Sequence, residues 1–242
     1  PTRPRLLILN YPNNPAGTTL GEERLKELAK VCQEYGLLVL SDEIYGEVNH
    51  SGNHLSLATF YPEGTIISNG LSKWCGAGGW RLGTFLFPKS LYWLREAMCV
   101  VASETYTSVS APIQWAAVAA YQPDERLQDY LRRSRRVLAM VGETAHEILT
   151  EAGLQVPKPE GGFYLFPDAS PLSEKLRSKG VTTSEELCDP QEFTFRLATV
   201  NFDGGAALEK VTGHNGSSRA FLEAHCSDLL QALNLMAQWL HS

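Results

Sequence analysis

Leu6-Leu-Ile-Leu-Asn10 and Leu37-Leu-Val-Leu-Ser41 are short, nearly unbroken apolar runs, and the segment between them repeats its apolar residues at helical spacing. Leu25, Leu28, Ala29 and Cys32 fall at i, i+3, i+4 and i+7, Glu22 and Glu23 occupy the first turn, and Gly36 stands just past the end. Acidic residues at the start and glycine at the finish are the signals of a complete helix. Strand, helix, strand within so few residues predicts a parallel pair joined by a crossover helix. Working outward, Thr65–Asn69 and Leu82–Phe87 read as further strands, so the first hundred residues imply a parallel sheet covered by helices. In such sheets ligands gather at the carboxyl ends of the strands, here followed by Tyr11–Gly17, Asp42–Tyr45 and Gly70–Trp80.

From Pro112 the periodicity turns helical, first over Pro112–Tyr121 and then over Asp124–Ala152, where Leu127, Leu131, Leu138, Val141, Ala145 and Leu149 form one face and Gly153 is the stop. Gly162–Phe166 and Phe193–Asn201 read as strands, Ser173–Ser178 as a short helix, and Ser217–Leu240 as a closing helix. The expected organisation is α/β: residues 1–123 as part of a larger domain, 124–152 as a connecting helix, and 153–242 as a smaller α/β domain.

A chain of 242 residues with 43% hydrophobic and 20% charged residues has a globular composition. A net charge of −6 supplies no general attraction for nucleic acid or an anionic membrane, and Arg132, Arg133, Arg135 and Arg136 on the long helix read as a solvated face. The odd set of Cys32, Cys75, Cys99, Cys188 and Cys226 lacks C-x-x-C spacing and reads as free thiols in a reducing compartment. Histidines show no metal-ligand spacing, so no metal is expected. No apolar run reaches membrane-spanning length and the N-terminus does not read as a signal peptide, which makes the cytoplasm the expected location. The chain opens at Pro1 and enters a strand almost at once, as a segment starting partway into a larger domain would.

Each of the three strand-end loops has an ordinary reading when taken alone. Asn10-Tyr-Pro-Asn-Asn-Pro-Ala-Gly17 is dense in turn formers, Asp42 is placed to cap a helix, and a lone lysine such as Lys73 is by default a solvated amine. Together they set an amide, a carboxylate with a phenol, and a lysine with an arginine at the ends of successive strands. A pyridinium cofactor needs such a set: a lysine to hold it covalently, an acid for the ring nitrogen, donors for its phenolate and a cation for its phosphate.

Three motifs in order resemble those of fold-type I pyridoxal-phosphate enzymes, specifically the class I/II aminotransferases. They are Asn13-Asn14-Pro15-Ala16-Gly17, Asp42-Glu43-Ile44-Tyr45, and Ser72-Lys73 through Arg81-Leu82-Gly83, with Pro159-Glu-Gly-Gly-Phe-Tyr164 similar to the family's entry into the small domain. The resemblance implies a partial, mostly parallel sheet with flanking helices plus a smaller C-terminal α/β domain. It implies pyridoxal 5'-phosphate as cofactor, with Lys73 binding it and shuttling the proton. Asp42 would lie against the pyridine nitrogen, Asn14 and Tyr45 would bond the phenolate oxygen, and Arg81 would take the phosphate. Arg196, in Phe195-Arg-Leu-Ala198, matches the arginine that grips the substrate α-carboxylate. Cys75, two residues past Lys73, reads as packing rather than as a redox switch.

The resemblance further implies a ping-pong transaminase with an amino acid and a 2-oxo acid as substrates, homodimeric when complete. A C–S lyase of the same fold and a non-catalytic truncated remnant are the alternatives. Gly70 stands where relatives often place a phosphate-binding serine, the stretch between Glu186 and Phe193 is shorter than usual, and the N-terminal half of the large domain has no counterpart.

Overall fold

The computed structural model describes residues 3–187, 219–220, 223 and 226–241. The predicted strand at Phe193–Asn201, with Arg196, lies outside the described residues, as do Cys188 and parts of the closing helix's first half.

Four strands form one sheet in the order β1-β2-β3-β4: β1 (Leu6–Asn10), β2 (Leu38–Asp42), β3 (Thr65–Gly70) and β4 (Gly83–Leu86). β1, β2 and β3 are parallel, in a register that aligns Asn10 with Asp42 and Asp42 with Ser68. β4 is the antiparallel member of this mostly parallel sheet, pairing with β3 from Ile67↔Leu86 to Gly70↔Gly83. The Ser72–Arg81 segment doubles back without a crossover helix, and a strand so joined returns in the opposite direction. Each of the four strands read in the first hundred residues is matched within about a residue or two at either end, the usual softness of such boundaries.

α1 (Glu22–Tyr35) closes on Gly36 in the left-handed conformation, φ 60°, whose N–H reaches the last carbonyls; this is the expected helix and stop. Its apolar face, Leu25, Ala29 and Cys32, packs with Tyr11, Val39, Leu57 and Tyr61 into the core on one face of the sheet, flanked by Leu7 and Leu9. On the opposite face β1 is open, whereas Ile66 of β3 is buried. Leu6 and Ile8, which alternate with Leu7 and Leu9, are 52% and 67% exposed.

α2 (Tyr92–Thr105), which the sequence reading did not name, has no buried residue; its apolar side chains surround the helix rather than form one stripe. α3 (Ala111–Ala120) and α4 (Glu125–Glu151) match the two expected helices, and Gly153, φ 93°, ends the second. On α4 the buried set includes Leu131, Ala145 and Leu149 as expected, but also Val137, Thr144 and Ile148. α5 (Ser173–Ser178) has the expected bounds; α6 (Ser184–Leu187) and α7 (Ser227–His241) follow.

Gly162–Phe166 does not form the expected strand. Gly162 takes a left-handed φ of 67°, and Gly161 makes an isolated bridge to Asn49 instead. A side chain at Gly161 would come within 2.5 Å of Pro12 Cγ, so Glu160–Gly162 is a strap packed closely against the Tyr11-Pro12 turn.

Contacts divide the chain into two units. One comprises Pro1–Asn14, Thr18–Arg135 and Glu160–Gly162, the other Pro15–Gly17, Arg136–Pro159 and Phe163–Ser242. In the second unit Gly17, φ 69°, lies against the carbonyl oxygen of Tyr164, where no side chain fits. No helix among the described residues is long and apolar enough to cross a membrane.

Candidate active site

Parallel pairing puts the ends of β1, β2 and β3 at one edge of the first unit, and the residues singled out above follow those ends. Asn10, last in β1, ties two of the loops together. Its side-chain nitrogen donates to the backbone oxygen of Asp42 at 3.1 Å and to Asp42 Oδ2 at 3.3 Å, while its Oδ1 accepts from the N–H of Asn14 at 2.8 Å. Sequence reading treated Asn10 as part of a turn; its partner became visible only through the Asn10↔Asp42 register.

Asp42 is half-buried, and its other side-chain contact is the N–H of Ile44 at 3.4 Å. Burial pushes its carboxyl above the ordinary value, the Ile44 and Asn10 donors pull it back in part, and neighbouring Glu43 adds to the rise. No lysine, arginine or histidine forms an ion pair with it among the described residues. The helix-capping role is not observed: a 3-10 turn, Gly46–Val48, follows, with Tyr45 at its start and no side-chain cap.

Tyr45 is buried, at 3% exposure, and its hydroxyl lies 3.5 Å from Asn14 Nδ2. The ammonium nitrogen of half-buried Lys73 stands 5.5 Å from the centre of the Tyr45 ring. Asn14, Tyr45 and Lys73 are thus brought together, with Asp42 joined to Asn14 through Asn10. Trp74, beside Lys73, is buried and packs against Tyr121 at 5.9 Å between ring centres. Antiparallel pairing of β3 with β4 closes the loop so that Lys73 lies on its outgoing arm and Arg81 on its returning arm.

Arg81 is exposed, adopts a left-handed φ of 57°, and donates from Nη1 to the carbonyl oxygen of Gly78 at 2.7 Å. That contact bends the guanidinium over the glycine turn and leaves most of its donor fork available to an anion. Gly70 has a steric reason: a Cβ there would meet the oxygen of Leu82 at 2.7 Å. The serine often found here in relatives does not fit this strand pairing. Cys75 is half-buried and burial pushes its thiol up, consistent with packing. Arg132 and Arg133 pair with Asp129 at 2.5 and 2.7 Å, and Arg135 with Glu47 at 2.9 Å.

A carboxylate without a cation partner among the described residues, an amide and a phenol side by side, and an amine facing the phenol fit a flat aromatic cation that carries an oxyanion. Two further residues close to this arrangement, Glu43 and His54, were not singled out by sequence reading. Glu43 stood inside a motif whose named members are its neighbours, and His54 belonged to no pattern.

Residues 1–198 match the family model for aminotransferase class I and II. The aspartate aminotransferase of Geobacillus stearothermophilus is 36% identical over 214 residues, covering 86% of this chain and 52% of the relative. The aspartate/prephenate aminotransferase of Thermus thermophilus is 33% identical over 186 residues, covering 74% and 48%. Among solved structures, Thermus thermophilus aspartate aminotransferase with maleate superposes with a TM-score of 0.64 at 33% identity, covering 73% of this chain and 47% of that one. The aromatic aminotransferase from Pyrococcus horikoshii gives 0.62 at 36%, covering 67% and 43%. The chain spans about half the length of these relatives. Its partial mixed sheet and helices are those of fold type I of the pyridoxal-phosphate-dependent transferases. Motif order, strand-end geometry and the match over residues 1–198 together show that the chain belongs to the class I and II aminotransferase family.

Proposed function

We propose that the protein transfers an amino group between an amino acid and a 2-oxo acid, by a ping-pong route, with pyridoxal 5'-phosphate held at the strand ends. The observation that carries this reading is the half-buried Asp42 carboxylate, which has no cation partner among the described residues, in the same strand-end cluster as the Asn14–Tyr45 pair and Lys73. When bound, the cofactor supplies an electron sink that stabilises negative charge at the substrate's α-carbon.

The chain's own residues divide the remaining work. Asp42 holds a proton on the ring nitrogen, because an anion there favours the charged form. Asn14 Nδ2 and Tyr45 Oη hold the phenolate oxygen. Lys73 Nζ would hold the cofactor and would move the proton at the substrate's α-carbon. Arg81 takes the phosphate, where its planar fork offers paired donors that an ammonium lacks. Arg196, outside the described residues, is proposed to bind the substrate carboxylate.

In this reading residues 1–123 serve the large domain, 124–152 the connecting helix and 153–242 the small domain, with homodimeric assembly and a cytoplasmic location. Aspartate is the first amino donor to try, since relatives carry that name. Those same names favour transamination over a C–S lyase.

The test is an absorbance spectrum with added cofactor, before and after borohydride, for wild type and Lys73→Ala. A pH-dependent band that borohydride locks onto Lys73 is expected. Its absence from folded wild-type protein would leave the truncated-remnant account. Release of pyruvate and ammonia in place of a retained amino group would move the assignment to the lyase.

A further inference from the structure

Directly behind the turn that carries Asp42 and Tyr45 lies a buried polar cluster. Glu43 is 4% exposed, and its carboxylate receives three side chains. Oε1 accepts from Ser41 Oγ at 2.8 Å and from Ser56 Oγ at 2.6 Å, and Oε2 faces His54 Nε2 at 2.9 Å. Several donors can hold a carboxylate ionised in a buried place; here burial pushes the Glu43 pKa up, but the donors outweigh it and hold the carboxyl below its ordinary value.

His54 Nδ1 is buried without a hydrogen-bond partner among the described residues. Facing a carboxylate oxygen, Nε2 is the ring's donor to Glu43.

The same imidazole touches both loops of the candidate site. A Cβ on Gly46, next to Tyr45, would fall 2.8 Å from His54 Cδ2, so the turn lies flush on the ring. On another side the ring packs against Tyr11, 5.1 Å between centres, and Tyr11 follows Asn10, the residue that ties Asp42 to Asn14. Tyr11 is held in turn, donating to the oxygen of Leu55 at 3.0 Å and accepting from the N–H of Leu57 at 2.6 Å.

We infer that His54 and Glu43 are positioning residues, a buried latch that sets the Asp42–Tyr45 turn against the Asn10–Asn14 loop and so fixes where the acid and phenol stand. The latch acts through the turn and touches no reacting atom. Its link to catalysis rests on Asp42 and Tyr45 serving the cofactor as proposed above.

The test compares the full chain with His54→Ala, His54→Gln, Ser56→Ala and Glu43→Gln. In cofactor-free protein, amide exchange at Ile44 and Gly46 is expected to rise about tenfold in His54→Ala, while exchange in α1 stays unchanged. Gln offers one N–H donor at similar reach, so His54→Gln is expected to restore most of the protection. With pyridoxal phosphate bound, the pH midpoint of the absorbance band is expected to move by about half a unit or more in His54→Ala and Glu43→Gln. Such a shift reports displaced charges, which a uniform loss of stability would not give. Should His54→Ala unfold as a whole, Ser56→Ala removes one donor and is expected to raise exchange at the same amides by a smaller factor. Unchanged exchange and an unchanged midpoint in folded variants would overturn the latch. Exchange that rises only at the turn supports it even when no band forms in wild type, an outcome that counts against the cofactor reading alone.

Discussion

The turn after β2 and the loop after β3 carry the two halves of the candidate site, and they are held in opposite ways. Asp42–Gly46 is pinned from below by a buried carboxylate with three side-chain donors, and the residues that follow it are held by the Glu160–Gly162 strap, where His50 N–H reaches the oxygen of Glu160 at 2.9 Å and Gly162 N–H reaches that of Val48 at 3.0 Å. Lys73–Arg81 rests on buried Trp74 and a few backbone contacts, with Trp80 64% exposed and Arg81 open to solvent. A buried network specifies a position before any ligand arrives, whereas an exposed glycine-rich loop can take up its final geometry with the ligand. The acid and phenol are thus preset, and the lysine and arginine are the adaptable half.

The largest effect expected from this contrast is that of Lys73→Ala. It should abolish the borohydride-locked band altogether and yet shift the melting temperature by no more than about 1 °C, because a half-exposed loop residue contributes little to stability. A large loss of stability would mean that the loop is as firmly built as the turn. Arg81→Ala comes next, with cofactor affinity falling about 10- to 100-fold in a titration, the range expected for lost hydrogen bonds to a charged group. Equal affinity would remove Arg81 from the phosphate.

Gly161→Ala attacks the strap. Its new methyl group would press on Pro12 and, at 3.2 Å, on the Cα of Asn49, and about 1–3 kcal/mol of destabilisation in denaturant melts is expected, with faster exchange at His50.

The smallest effect has the opposite sign. Asp42 binds its proton more tightly folded than unfolded, so its contribution to stability falls as pH rises from the ordinary value of 3.8 through the raised folded value. Asp42→Asn should therefore raise the melting temperature of the cofactor-free protein by about 2 °C at pH 7 and have little effect near pH 3. Neighbouring Glu43 runs the other way: it adds stability above its ordinary value of 4.5 and loses it as pH falls through the lowered folded value. A melting curve that moved equally for both residues would erase the distinction between a site acid and a structural one.

The strand and helix pattern of the first unit was legible because burial dictates it. Leu25, Ala29 and Cys32 recur at helical spacing since they face one core, and Gly36 stops the helix since only a left-handed residue can cap it there. Asn14, Asp42, Tyr45, Lys73 and Arg81 were legible for a different reason, as unusual side chains directly after strands. Direction and pairing were not. Nothing local distinguishes β4 as antiparallel, because an apolar run reads the same either way, and Gly162–Phe166 looked extended until the close packing of Gly161 on Pro12 excluded it.

By itself, then, the sequence determined which residue types stand at the carboxyl ends of the strands and which family motifs they form. These are properties of neighbours along the chain, where spacing and residue chemistry suffice. Only the tertiary structure decided that Asn10 joins Asp42 to Asn14, and that His54, Ser56 and Tyr11 converge behind Glu43. Those contacts cross from one segment to another, and what a buried polar atom can bond depends on which segments the packing of the sheet brings against it.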